Sequence, residues 1–150
     1  MAVIRDVRKV AMDYLARREH TRLELNRKLQ GKDFAADDIE KVLLDLSREG
    51  LQSDERFTEA FISSRLQRGS GPIKIAMELQ QRGVVEELIG LYLDEQDRQW
   101  QTVATKVRAK RFGRLPPTDF KERARQMRFL QYRGFTMAQI QQAMGGEDAE

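Results

Sequence analysis

LQYRGFTMAQI, residues 130–140, is the last of three versions of one phrase. LQQRGVVEELI occupies residues 79–89 and LQGKDFAADDI residues 29–39. Leu-Gln opens each version, a bulky apolar residue follows five positions after the Leu (Phe34, Val84, Phe135), and Ile closes each ten after it. No insertion interrupts the phrase. Recurrence at a spacing of about fifty residues is the signature of tandem modules. Within each copy, Leu29, Leu79 and Leu130 read as the last core residue of a helix. A stop follows, then an apolar plug, a cap and a return to the core at Ile39, at Leu88 with Ile89, and at Ile140. The phrase is therefore expected to be a structural joint.

Working outward, every flanking segment reads as helix. Val3, Val7, Val10, Ala11, Tyr14 and Leu15 keep the three-to-four spacing of one helix face. Thr21 with Glu24 three residues on forms a capping box. Ile39, Val42, Leu43 and Leu46 stripe a third helix that Gly50 stops. Ser53 caps the next helix, with Phe57, Ala60, Phe61 and Ser64 on one face. That helix ends in RGSGP, where Pro72 suits a first helical position because its missing N–H would be unpaired there anyway. Ile75 and Leu79 share a short face that Gly83 ends. Trp100, Val103, Ala104 and Val107 define the following helix, with Lys106, Arg108, Lys110 and Arg111 directed elsewhere. GRLPPTD is the clearest loop, with Thr118 or Asp119 as the cap of a long helix running to Arg133 and stopped by Gly134. Thr136 caps a last helix carrying Ile140 and Met144, and GGEDAE reads as a frayed tail. The expected fold is all-α: three tandem three-helix repeats, 1–52, 53–97 and 98–150, in an elongated, curved array.

Charge is distributed unevenly. The net charge of +3 resolves into +1 for residues 1–52, −4 for 53–97 and +6 for 98–150. Between Arg98 and Arg133 there are 11 Lys and Arg against 2 Asp and Glu, a local footprint for a polyanion. The chain has no Cys, which excludes a disulfide framework and thiolate chemistry. No run reaches the ~18 apolar residues of a membrane span, and the first residues lack a signal peptide's apolar core, so a cytoplasmic protein is expected.

Catalytic patterns are missing. His20, the one histidine, has no cysteines to share a metal with and reads as part of the turn before Thr21. RGSGP lacks the spacing of a phosphate-binding loop and no strand precedes it. The pairs Asp37-Asp38 and Glu86-Glu87 open helices, where they meet the helix dipole favourably. No cofactor, metal or enzymatic activity is expected.

Two stretches carry a resemblance. SDERFTEAFISSRLQRGSGPIKIAMELQQRGV, residues 53–84, resembles the most typical segment of the RecX family through Asp54, Arg56, Phe57, Ala60, Phe61, Arg65, Arg68, Gly71, Pro72, Ile75, Leu79, Arg82, Gly83 and Val84. KERARQMRFLQYRGFTMAQI, residues 121–140, resembles that family's C-terminal run through Arg128, Phe129, Leu130, Arg133, Gly134, Phe135 and Ile140. HTRLELNRKL, residues 20–29, is similar to its first repeat. The chain departs from the pattern at Ile73-Lys74 and at Asp33, which stands where the other copies have Gly83 and Gly134. The resemblance implies three three-helix repeats and regulation of the RecA recombinase. Such proteins bind RecA and its nucleoprotein filament, lodge in the filament groove, and inhibit strand exchange, ATP hydrolysis and co-protease activity. In this way they modulate DNA repair, homologous recombination and the SOS response, and some bind single- or double-stranded DNA directly.

Candidate contact residues for RecA or DNA are Arg65, Arg68, Lys74, Arg82, Lys106, Arg108, Lys110, Arg111, Arg114 and Arg133. For Arg65 and Arg68 the competing reading is complementation of a helix C-terminus. For Arg82 and Arg133 it is the commonplace basic residue of a last turn. For the cluster from Lys106 to Arg114 it is a solvated face. Trp100 and Phe112 read as core before stacking platforms. A monomer without membrane contact is expected. The alternatives are a general DNA-binding helical module or a helical adaptor, either acting independently of RecA.

Overall fold

The computed structural model describes residues 2–145; all but Gly145 of the tail GGEDAE lies outside them. The described residues form helices and no strand: α1 (Ala2–Arg17), α2 (Arg22–Gln30), α3 (Ala36–Arg48), α4 (Asp54–Gln67), α5 (Pro72–Gln81), α6 (Glu86–Tyr92), α7 (Gln99–Phe112), α8 (Phe120–Arg133) and α9 (Met137–Ala143). They fall into three triplets. In the first two, four residues join the first helix to the middle one, 18–21 and 68–71. In the third, the connector is residues 113–119, and α8 is 14 residues against 9 for α2 and 10 for α5.

The repeated phrase builds the same bend three times. Leu29, Leu79 and Leu130 are fully buried, and Ile39, Ile89 and Ile140 are buried beyond the bend. Asp33, Gly83 and Gly134 all adopt positive φ, +66°, +87° and +98°. Asp33 thus keeps the left-handed bend without glycine, which a short polar side chain tolerates better than most. In the later copies, Val84 N and Phe135 N donate to Leu79 O and Leu130 O (3.1 and 3.3 Å). Gly83 N and Gly134 N donate to Gln80 O and Gln131 O, 3.0 Å each, completing Schellman endings. Val84 and Phe135 are buried plugs, whereas Phe34 is only partly buried against its core. Thr21 and Thr136 make full capping boxes with Glu24 and Gln139, and Asp119 caps α8.

The chain divides into two compact units, residues 1–61 with 79–89 and residues 62–78 with 90–150. The division runs through the middle repeat, and the reason lies in the joint. In the first unit, Thr21 Oγ1 donates to Arg82 O (2.6 Å), and a Cβ on Gly83 would lie 2.7 Å from Leu23 Cβ. In the second, Gly71 N donates to Arg133 O (2.7 Å) and Ile73 N to Gly134 O (2.9 Å). A Cβ on Gly134 would lie 2.4 Å from Lys74 Cβ. The end of one middle helix therefore docks on the start of the preceding repeat's middle helix. The recurring phrase joins repeats as well as helices, a role its sequence does not announce.

The first unit's core is built by Val7, Ala11, Leu25, Leu29, Ile39, Val42, Leu43 and Leu46 from α1, α2 and α3. His20 is buried behind it: its Nδ1 lies 3.1 Å from Arg18 O, its Nε2 2.8 Å from Lys28 Nζ, and its ring centroid 5.8 Å from that of Tyr14. On α4 the buried side is Phe57, Thr58, Phe61 and Ile62; Ala60, expected with Phe57 and Phe61, is exposed. In the second unit, Trp100, Ala104, Leu130, Phe135, Ile140 and Met144 are buried between α7, α8 and α9, and Trp100 Nε1 donates to Asp94 O (2.9 Å). Among the described residues no helix is long and apolar enough to cross a membrane.

Candidate interaction cleft

Helix α7 presents two different faces. Every fourth residue from Trp100 through Ala104 to Arg108 is buried. Val103 and Val107, expected in the same core stripe, instead floor a cleft of about 540 Å³ in the second unit. Leu66 and Phe129 complete the apolar floor, and Gly69 lines the α4–α5 connector side. Around this floor stand Arg68, Lys106, Lys110, Arg111 and Arg133, and among the described residues no carboxylate joins the lining. Among the described residues none of these five makes an ion pair. An apolar bed ringed by uncompensated cations suits an anionic ligand that also carries apolar groups.

Phe129 is already engaged. Phe112 meets it edge-on at 5.2 Å, and the guanidinium groups of Arg133 and Arg111 lie 4.9 and 5.7 Å from its centroid. Arg133 also donates from Nη1 to Arg68 O (3.0 Å) and Gly69 O (3.4 Å), so it fixes the α4–α5 connector while lining the cleft.

Five of the ten sequence-nominated residues thus meet in one place, and the other five do not. Arg65 pairs through Nε with Glu78 (3.0 Å). Lys74 lies over the Tyr132 ring at 5.4 Å. Arg82, in the first unit, covers the Phe61 ring at 4.8 Å and approaches Glu24 at 3.7 Å. Arg114 is exposed beyond α7, outside the cleft lining. Arg108 requires correction: it is not on the charged surface but 3% exposed. Its Nε donates to Ala143 O (2.8 Å), Nη1 to Gln126 Oε1 (3.1 Å) and Nη2 to Arg114 O (3.0 Å). That guanidinium holds the end of α9 and the loop after α7. Val103, Val107, Leu66 and Phe129 were not nominated as site residues. For the first two the α7 pattern held no signal, because Trp100, Val103, Ala104 and Val107 span about 100° of the helix, the ordinary width of one core face.

These features define a helical-repeat protein with a cationic cleft. Family comparison gives the class a name. The profiles described as RecX first, second and third three-helix domain match residues 8–46, 53–92 and 97–144. The chain is 44% identical over 144 residues to Regulatory protein RecX of Halorhodospira halophila, covering 96% of this chain and 89% of the relative. It is also 44% identical to that of Pseudomonas fluorescens, over 96% and 93%. The crystal structure of RecX from Lactobacillus salivarius shares the fold at a TM-score of 0.80 and 18% identity, over 99% of both chains. The chain belongs to the RecX family.

Proposed function

We propose that this chain regulates the RecA recombinase, binding RecA and the RecA–DNA filament and inhibiting ATP hydrolysis, strand exchange and co-protease activity. It acts as a cytoplasmic, monomeric, non-catalytic modulator of repair and recombination. Membership of the RecX family gives the reading its direction. The observation that carries it here is the cleft, where Arg68, Lys106, Lys110, Arg111 and Arg133 surround an apolar floor with no compensating carboxylate among the described residues. Modular repeats suit a long polymer because several weak contacts add through effective concentration.

The test is RecA's ATPase on single-stranded DNA, with filament length followed in parallel. The protein should inhibit at substoichiometric amounts, and reversing Lys106, Lys110 and Arg111 to Glu should weaken inhibition by about tenfold or more. An absence of effect on ATPase, strand exchange and filament length would overturn the reading. Tight, steeply salt-dependent duplex binding with RecA unaffected would instead identify a general DNA-binding module.

A further inference from the structure

The two inter-repeat joints share one construction, but the first is neutralised by its own carboxylates and the second is left cationic. The four-residue connectors align without a gap: Arg68 takes the place of Arg18, Gly69 of Glu19, Gly71 of Thr21, and Lys74 of Glu24. Arg133 likewise corresponds to Arg82 in the repeated phrase. In the first unit the joint neutralises itself. Glu19 pairs with Arg56 (3.0 Å), and Glu24 pairs with Arg18 (3.1 Å) and stands 3.7 Å from Arg82. Both carboxylates are lost in the second unit, one to glycine and one to lysine. The arginines remain, and α7 adds Lys106, Lys110 and Arg111 to the same rim. Carboxylates meet the arginines of the first joint, and among the described residues none meets those of the second, which line a cleft.

We infer that the cleft binds an acidic peptide segment of a protein partner, whose carboxylates take the places that Glu19 and Glu24 occupy in the first unit. Three observations favour carboxylates over nucleic acid. The equivalent arginines are met by carboxylates within this same chain. The open floor is largely aliphatic, Leu66, Val103 and Val107, which suits a Leu or Val between acidic residues. The one aromatic ring of the lining, Phe129, is engaged by Phe112, Arg111 and Arg133, which leaves little of it for stacking a base. Arg68 and Arg133 offer planar donors suited to bidentate carboxylate pairing, with the lysines as point charges beside them. The inference deepens the regulatory reading by naming the chemistry of the contact. Its test contains no RecA, so it can fail without that reading failing.

The probe is an end-blocked, fluorescein-labelled hexapeptide of glutamates flanking two leucines, titrated with the full chain and followed by anisotropy. Methyl resonances of Val103 and Val107 are recorded in the same titration. The expected result is saturable binding that shifts both methyls and is lost when glutamine replaces glutamate. Binding should weaken by about tenfold or more in Lys106→Glu/Lys110→Glu. It should weaken comparably in Lys74→Glu, where the new carboxylate restores the self-neutralised arrangement of the first joint. Lys41→Glu, on the exposed surface of α3, should leave the affinity unchanged, and circular dichroism checks that each variant is folded. Equal binding of the glutamine peptide, or unmoved Val103 and Val107 methyls, would overturn the proposal. So would an oligothymidine that binds more tightly and is lost in the same variants, which would assign the cleft to nucleic acid.

Discussion

Arg108 occupies a core position with a charge, and its surroundings explain how. Its planar fork reaches the last carbonyl of α9, the side chain of Gln126 and the carbonyl of Arg114, so the desolvated cation is met by oxygens on several sides. Lysine has no fork and would satisfy fewer of them. Arg108→Leu should destabilise the second unit by about 3 kcal/mol, because buried acceptors lose their donors. The unfolding midpoint should fall by roughly 6–12 °C, as read by circular dichroism. Arg108→Lys should recover only part of this. An unchanged midpoint would mean that water replaces the guanidinium at no cost. This residue also shows where sequence reading ran short. Arg108 continues the Trp100–Ala104 spacing, but among Lys106, Lys110 and Arg111 it looks like one more surface cation. Helical periodicity identifies the face; it cannot tell which charge will find carbonyls. At Asp33 the opposite holds: the departure from glycine looked like a difference, yet φ +66° shows the bend retained.

At the scale of elements, the α1–α2 connector was legible in part. The Thr21–Glu24 capping box and the place of His20 in the turn before it follow from local sequence and stand in the structure. The packing of Lys28 against His20 did not, since it depends on α2 lying against the connector. Burial lowers the imidazole's affinity for a proton, the Arg18 carbonyl opposes this, and Arg18 and Lys28 reinforce it. With Nδ1 facing a carbonyl and Nε2 facing an ammonium, the neutral ring fits: Nδ1–H donates and Nε2 accepts. The folded-state pKa lies below the ordinary 6.5, so the unfolded chain takes up the proton first as pH falls. This share of stability is complete above about pH 6.5 and is lost as pH drops below it. Glu24 behaves in the same direction at lower pH. Burial pushes its carboxyl up, but Arg18 and the Thr21 backbone N–H outweigh that and hold it below 4.5. Its contribution is present above pH 4.5 and is lost on further acidification. Thermal unfolding of the first unit should therefore move to lower temperature between pH 7.5 and 5.5. His20→Gln should flatten that slope while leaving the loss below pH 4.5. A wild-type slope equal to that of His20→Gln would rule out the imidazole as its source.

For the whole molecule, the unit of sequence and the unit of packing are not the same. The three-helix repeat was readable because caps, left-handed stops and apolar returns are local. The joint was not, because Gly71 and Arg133 meet across 62 positions and neither carries a mark of the other. The cationic cleft shares that limit: its charges were visible in Arg98–Arg133, but its Arg68–Gly69 wall comes from the preceding repeat. Stability in such arrays is a sum of repeat terms and nearest-neighbour terms. A fragment of residues 98–150 keeps the core around Trp100, Ala104, Leu130 and Ile140. It loses the partners of the Arg133 and Gly134 carbonyls and of the Arg133 guanidinium. A fragment of residues 53–150 keeps all of these. At about 1 kcal/mol for each hydrogen bond, the shorter fragment should be less stable by roughly 2–4 kcal/mol. For a chain of that size this places its midpoint on the order of 10 °C or more below that of 53–150. Thermal melts of the two fragments by circular dichroism decide the matter. Coincident midpoints would show that the docked phrase sets geometry without stabilising the repeat that carries it.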